Sequence, residues 1–241
     1  MTHDGYFEYY EELSNWDFGS FEIETKTLTD WDLYAILRGL VKADSRVLDL
    51  GTGGGEKLLA HFPDCAEILG TDYSPAMIAT ARRNLAQSGR RNISFKVMDN
   101  LNMDVPDDHF DVVVARHTVT DPVQIRRCLK PGGTLLIRGV DKYDCWSLKR
   151  LFGGGQGYDD PVPVSITDYE GLLDAGFTDV ELVPVHELEY FWSQDEFMRF
   201  MHTVPVLDHA DDGLLAKYAE ENTYDGRIRL IRRYYGIRAS A

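Results

Sequence analysis

The chain has 241 residues, 40 acidic side chains against 25 basic ones, and a formal net charge of −15. That length suits one large domain, or one domain with an elaborated cap, at ~100–200 residues per domain. An acidic balance argues against unspecific binding to phosphate backbones. No apolar run approaches the ~18 residues of a membrane helix, and the start has neither a basic nor an apolar leader region. The three cysteines (Cys65, Cys128, Cys145) are far apart and odd in number, which suits neither a disulfide framework nor a metal knuckle. A reducing cytoplasm is the expected compartment.

Residues 1–43 read as two helices, roughly Phe7–Leu13 and Trp31–Leu40, that precede the main domain. From about Asp44 short apolar strands alternate with helical stretches, the pattern of a parallel sheet covered by helices. Arg46–Leu50 reads as a strand stopped by a glycine cluster, and Glu56–Phe62 as a helix ended before Pro63. Ala66–Thr71 is the second strand. Ser74 with Pro75 then opens a helix that Gly89 closes. Ile93–Met98 and Phe110–Ala115 are further strands, the latter buried around Val112-Val-Val. Asp121-Pro122 opens a helix through Leu129, and Pro131-Gly-Gly turns into a strand at Thr134–Val140. Residues 141–165 are irregular, with a loop at Gly153–Gly157. A helix at Thr167–Ala175, a strand at Phe177–Val185, helices at Gln194–Met201 and Gly213–Glu221 and a last strand at Arg227–Ile237 complete the chain.

The chemistry concentrates at the first strand, which runs into Asp49-Leu-Gly-Thr-Gly-Gly-Gly-Glu56. Glycines between a strand and a helix let the backbone approach a ligand closely, and a helix start offers free N–H groups. A dinucleotide fingerprint places a third glycine where this chain has Glu56, so that reading loses ground. Asp49 suits a ligand with a positively charged group instead. Asp72 ends the second strand, where an acid typically binds a ribose hydroxyl pair. An acid favoured by a helix dipole is the competing reading. Asp99 and Asn100 end the third strand; a carboxylate there can accept from an exocyclic amine, or both can serve as turn residues.

The runs Val47-Leu-Asp-Leu-Gly-Thr-Gly-Gly-Gly-Glu, Gly70-Thr-Asp-Tyr-Ser-Pro-Ala-Met-Ile, Val97-Met-Asp, Phe110-Asp-Val-Val-Val-Ala and Leu129-Lys-Pro-Gly-Gly-Thr-Leu-Leu-Ile together resemble the class I, Rossmann-like S-adenosylmethionine-dependent methyltransferases. The resemblance implies an α/β fold with a seven-stranded, mostly parallel sheet, helices on both faces and an antiparallel last strand. Residues 1–43 would form an N-terminal helical lid and 44–241 the methyltransferase domain, with an insertion at about 186–226 in the terminal hairpin as a substrate cap. It implies S-adenosylmethionine as cofactor and S-adenosylhomocysteine as product. Asp49 and the turn Gly51, Thr52, Gly53 and Gly55 would hold the methionyl part. Asp72 would bind the ribose, with Tyr73 and Met77 flanking the adenine. Asp99, beside Asn100, would meet its amine, and Arg116 and His117 would sit near the transferred methyl.

The expected reaction is in-line displacement at a sulfonium methyl, in which the protein aligns the partners and excludes water. His117 is the candidate base, since an ordinary histidine titrates near ~6.5. Its alternative role is a hydrogen bond to the cofactor or a loop. Tyr6, Tyr9, Tyr10 and Trp31 are lid candidates, and Trp192, Met201 and His202 candidates for a substrate wall, where a cap helix packing its own apolar face is the competing account. No resident metal is expected; Asp121 and Asp141 are the only pair considered for one. The expected partner is a small-molecule acceptor such as a specialised metabolite. Nucleic acid is disfavoured and a membrane excluded. An RNA or protein acceptor, or a non-methylating cofactor-binding protein, are the rival readings. Oligomeric state is not legible.

Charge is uneven. Residues 1–34 carry nine acids against the single base Lys26, while 226–241 carry five arginines and no acid. The acidic, aromatic N-terminal stretch predicts an entrance that favours neutral or cationic acceptors.

Overall fold

A computed structural model describes residues 21–241; the expected helix at Phe7–Leu13 and the candidates Tyr6, Tyr9 and Tyr10 lie outside the described residues. In chain order the elements are β1 (Glu24–Thr27), α1 (Leu33–Leu40), β2 (Arg46–Leu50), α2 (Glu56–His61), β3 (Glu67–Asp72), α3 (Pro75–Ser88), β4 (Ile93–Val97), β5 (Phe110–Arg116), α4 (Pro122–Cys128), β6 (Leu129–Val140), α5 (Trp146–Phe152), α6 (Val164–Asp174), β7 (Thr178–Phe191), α7 (Gln194–Thr203), α8 (Asp212–Glu221), β8 (Thr223–Tyr224) and β9 (Arg227–Ser240).

They build one nine-stranded sheet in the order β1-β7-β9-β6-β5-β2-β3-β4, with β8 pairing β9 off that path. β2 to β6 pair in parallel, whereas β9 runs antiparallel to both β6 and β7. The α/β sheet with an antiparallel last strand therefore agrees with expectation. Two strands exceed the implied count: the hairpin strand β8 and the edge strand β1. The segment expected to be purely helical thus also supplies a strand, β1, which pairs antiparallel with β7.

Alternation along the central strands explains the two-faced core. Successive side chains point to opposite faces. Leu48, Val113, Leu135 and Ile237 join one cluster with Ile125, Leu172 and Phe177. Val47, Val112, Val114 and Leu136 join the other with Leu33, Leu37, Leu58, Ile78 and Ala81. Covered on both faces, β2 and β5 are near-continuously apolar. Helix starts follow local chemistry. Asp32 caps α1 by accepting from Tyr34 and Ala35. Ser74 caps α3 ahead of Pro75, and Asp121 caps α4 ahead of Pro122.

Several boundaries differ from expectation. α5 occupies part of the stretch read as irregular. α6 starts at Val164, not Thr167, and β6 already begins at Leu129. β7 continues to Phe191, so the insertion between β7 and β9 starts after that residue. The insertion has its own core, with Phe191, Phe197, Phe200, Met201, Leu215, Tyr218 and Leu230 all buried together with Leu148. Among the described residues no helix is long and apolar enough to cross a membrane.

Candidate active site

The site begins where β2 ends. Asp49 lies on the strand face that carries Val47, so the alternation puts a carboxylate where an apolar side chain would pack. It is only 6% exposed. Burial pushes its pKa up to about 7, against the opposing charge of Arg116. A buried carboxylate in that state gains from a cationic partner. A small cavity of about 10 Å³ joins Asp49 to Tyr34, Gly51, Thr52, Lys57 and Arg116.

The turn after β2 uses its glycines differently. A Cβ on Gly51 would lie 2.6 Å from the Thr118 Cβ, so glycine here lets the loop after β5 close against the turn. Gly53 adopts φ +58°, and no atom of the described residues lies within 4 Å of where its Cβ would be, so a ligand can approach its backbone.

Asp72, at the end of β3, ties that turn to α3. Its Oδ2 accepts from the Gly53 N–H at 2.9 Å and its Oδ1 from the Ser74 N–H at 2.9 Å. Burial raises its pKa, and these two donors oppose the rise. A carboxylate has about four lone-pair sites, so acceptor capacity remains for a hydroxyl pair. Tyr73 beside it is exposed, whereas Met77 is buried at 2% and shapes the wall through packing. Asp99 is exposed and accepts from the Leu101 N–H at 2.9 Å. Asn100 donates to Thr118 Oγ1 at 3.0 Å and to the Val119 carbonyl at 3.1 Å. Its own Oδ1 is buried without a hydrogen-bond partner among the described residues. An orphaned acceptor beside a half-used carboxylate fits an exocyclic amine. The acceptor groups along β2, β3 and β4 thus fit an adenosyl group carrying a cationic amino acid end: Asp49 would take the ammonium, Asp72 the ribose, and Asp99 and Asn100 the adenine amine.

The second half of the cleft lies beyond β5. His117 adopts φ +53°, a left-handed conformation in which histidine is over-represented. Its N–H donates to the Arg138 carbonyl at 2.9 Å. The residue is exposed, yet protein atoms crowd around its side chain. That enclosure, then the charges of Arg116, Arg138 and Arg232, hold its pKa well below the usual histidine value. The imidazole is therefore neutral at physiological pH. Its edge meets the Tyr234 ring at 5.1 Å between centroids. Arg138 and Arg232 stand 4.6 and 5.0 Å from the same ring centroid. Arg232 is held by Asp144 and Glu189, and Arg138 by Glu187 at 2.8 Å.

Trp31 comes to this patch from the N-terminal side: a Cβ on Gly236 would lie 2.6 Å from its ring. Tyr34, three residues on, stacks on His61 at 4.4 Å and lines the small cavity. The insertion candidates are placed elsewhere. Met201 is 1% exposed inside the insertion core. His202 is exposed and pairs with Asp212 at 2.8 Å. Trp192 is exposed and lines a separate cleft of about 630 Å³ with Lys217, Glu220 and Ile228. Asp121 is occupied as a helix cap, and Asp141 accepts from Ser165 Oγ and the Tyr143 N–H. Among the described residues no cluster of three or more His, Cys, Asp or Glu is placed to hold a metal ion. Tyr34, Arg138, Arg232 and Tyr234 had no sequence motif. The five-arginine tail was the one available signal for two of them.

Comparison with known proteins bears on the first half of the cleft. A family model for a methyltransferase domain matches residues 41–168. The uncharacterized methyltransferase YcgJ of Bacillus subtilis is 31% identical over 109 residues, 42% of either chain. The demethylmenaquinone methyltransferase of Thermus thermophilus is 33% identical over 116 residues, 44% of this chain and 52% of that one. The chain spans about half the length of the curated relatives it matches. In structure, the YcgJ crystal structure aligns with a TM-score of 0.56 at 21% identity, over 86% of this chain and 97% of that one. A SAM-dependent methyltransferase from Aquifex aeolicus aligns at 0.51 and 17%, over 87% and 89%. These structural likenesses establish the shared fold. With more than half of its length matched by the family model and its strand-end acids in place, the chain belongs to the methyltransferase-domain family, the class I S-adenosylmethionine-dependent methyltransferases.

Proposed function

We propose that the protein transfers a methyl group from S-adenosylmethionine to a small-molecule acceptor. The observation that carries this reading is Asp72, fixed by the Gly53 and Ser74 N–H groups at the end of β3, with Asp49 buried one strand away. When bound, the cofactor supplies an electrophilic methyl on a sulfonium. The chain's residues do the rest. Asp49 neutralises the ammonium, Asp72 fixes the ribose, and Asp99 with Asn100 orients the base. Neutral His117, at the end of β5, offers one ring nitrogen to accept a proton or hydrogen bond from the acceptor. The described part of the N-terminal segment, residues 21–43, acts as a lid here, a reading supported by Trp31 on Gly236 and Tyr34 at the Asp49 cavity. A small acceptor is supported by the Thermus thermophilus relative, whose name is that of a quinone-precursor methyltransferase. The three cysteines are free and buried, which suits a reducing cytoplasm.

Titration calorimetry with S-adenosylmethionine and S-adenosylhomocysteine tests the reading. Saturable binding of both is expected, with Asp72→Ala weakening it by about 100-fold, since a buried hydroxyl pair loses a charged partner, worth roughly 1.5–3 kcal/mol. Absence of binding, or an indifferent Asp72→Ala, would overturn it.

A further inference from the structure

We propose that the acceptor is a small oxygen acid (a carboxylic acid, enol or phenol) held as its anion on a patch formed by Trp31, Arg138, Tyr234 and His117. The proposal rests on the methyl-transfer reading and names the substrate class for that site.

Register builds the patch. Arg138 of β6 lies directly opposite Gly236 of β9, so both face the same side of the sheet. Tyr234, two residues from Gly236 along β9, shares that face. Trp31 covers Gly236 from above. Two donors here are buried and have no hydrogen-bond partner among the described residues: Trp31 Nε1 and Arg138 Nε. Both groups are donors only, and a buried donor left unmade costs about 1–3 kcal/mol. Acceptor-rich ligands relieve that cost; amines do not.

Charge points the same way. The carboxylates that balance Arg138 and Arg232 are themselves held back: Asp144 is 1% and Glu189 9% exposed, and Glu187 is bonded to Arg138. Arg116, at the end of β5, has no ion pair among the described residues. The acids of the N-terminal stretch that lie among the described residues are partly engaged elsewhere. Glu24 pairs with Arg227, and Asp32 caps α1.

The step then balances simply. The acid gives its O–H proton to solvent or to the free ring nitrogen of His117. Its oxygen lone pair forms the new O–CH₃ bond while the C–S bond of the sulfonium breaks, and that electron pair stays on sulfur. The negative oxygen and the positive sulfur both become neutral. An amine acceptor would instead leave a cationic product beside the Trp31 and Arg138 donors, which it cannot satisfy.

The test uses protein saturated with S-adenosylhomocysteine and carrying ¹³C-labelled histidine, with the His117 resonance assigned by its loss in His117→Asn. Benzoate and benzylammonium are titrated in turn. Benzoate is expected to shift the His117 signal saturably, and benzylammonium to bind at least tenfold more weakly. The double variant Arg138→Met/Glu187→Gln, which removes the pair without stranding a carboxylate, is expected to weaken benzoate at least tenfold and leave S-adenosylhomocysteine affinity within twofold. Benzylammonium binding as well as benzoate, no response to millimolar benzoate, or benzoate binding indifferent to the double variant would each overturn the proposal. Repeating the titration without S-adenosylhomocysteine separates the two readings. Failure of the nucleoside to bind overturns the methyl-transfer reading, and failure of benzoate overturns this one.

Discussion

The two halves of the cleft are built by different means. The half at the ends of β2, β3 and β4 comes from one stretch of chain, and each polar group sits where a strand stops. The half beyond β5 is gathered from Trp31, His117, Arg138, Glu187 and Tyr234, which lie far apart in sequence. The first relies on backbone N–H groups and strand-end carboxylates. The second relies on charges buried in pairs across three strands. Local segments can set a common cofactor site with little help, whereas an acceptor site drawn from distant strands is free to differ between relatives that share a fold.

Breaking the second half should cost most. Arg232→Met strands Asp144 and Glu189, both buried. Removing one partner of a buried ion pair typically costs about 3–5 kcal/mol. Urea unfolding is expected to show that loss; a change under 1 kcal/mol would show that the pair network is not what holds Tyr234.

The first half should respond in the opposite direction. Because burial raises the Asp49 pKa to about 7, the folded state holds this proton more tightly than the unfolded chain does. Its contribution is most favourable below the ordinary carboxylate pKa and is lost as pH rises through about 7. Asp49→Asn should therefore stabilise the unliganded protein at pH 8, by up to about 4 kcal/mol, while weakening S-adenosylmethionine. In the wild type, affinity for that cation should rise with pH through neutrality, since the ionised carboxylate is the binding form. Thermal melts and calorimetry at pH 6 and pH 8 check both, and a pH-independent affinity would count against Asp49 as the ammonium site.

Between the halves stands His117. With its pKa held well below the usual value, its neutral form prevails above that lowered pKa. The pH–rate profile should show no histidine inflection near ~6.5. His117→Asn keeps a residue that tolerates the φ of +53°, so it tests the ring and not the backbone. An inflection near neutrality that vanishes in this variant would contradict the assignment. The smallest effect concerns the helix that links both halves. Asp32→Ala removes the cap of α1 and should cost about 1 kcal/mol, measurable as a lowered unfolding midpoint.

This contrast also explains what the sequence revealed. Asp49, the glycine turn, Asp72 and Asp99 were legible because each sits at a strand end marked by local signals. Arg138, Arg232 and Tyr234 were not, because neither a lone arginine in a strand nor a run of them near the C-terminus says which a register of antiparallel strands will bury. β1 escaped notice since Glu24-Thr-Lys-Thr is exposed throughout and has no apolar alternation. α5 starts from Cys145 in a left-handed conformation without a side-chain cap, and α6 follows Pro163, also uncapped, while Thr167 offered a false start. β7 runs through Pro184, which argues against a central strand. The strand tolerates it because β1 pairs with Glu187–Tyr190, leaving Pro184 with β9 as its one strand neighbour among the described residues.

That short pairing of β1 with β7 has a consequence for how the molecule assembles. Its two strands are separated by most of the described chain, so joining them closes a very long loop, and such contacts form slowly. The consecutive units from β2 to β6 carry no such delay. The nucleoside-binding half should therefore be competent before Trp31 is brought over Gly236, and the acceptor patch would be the last part of the cleft to take shape.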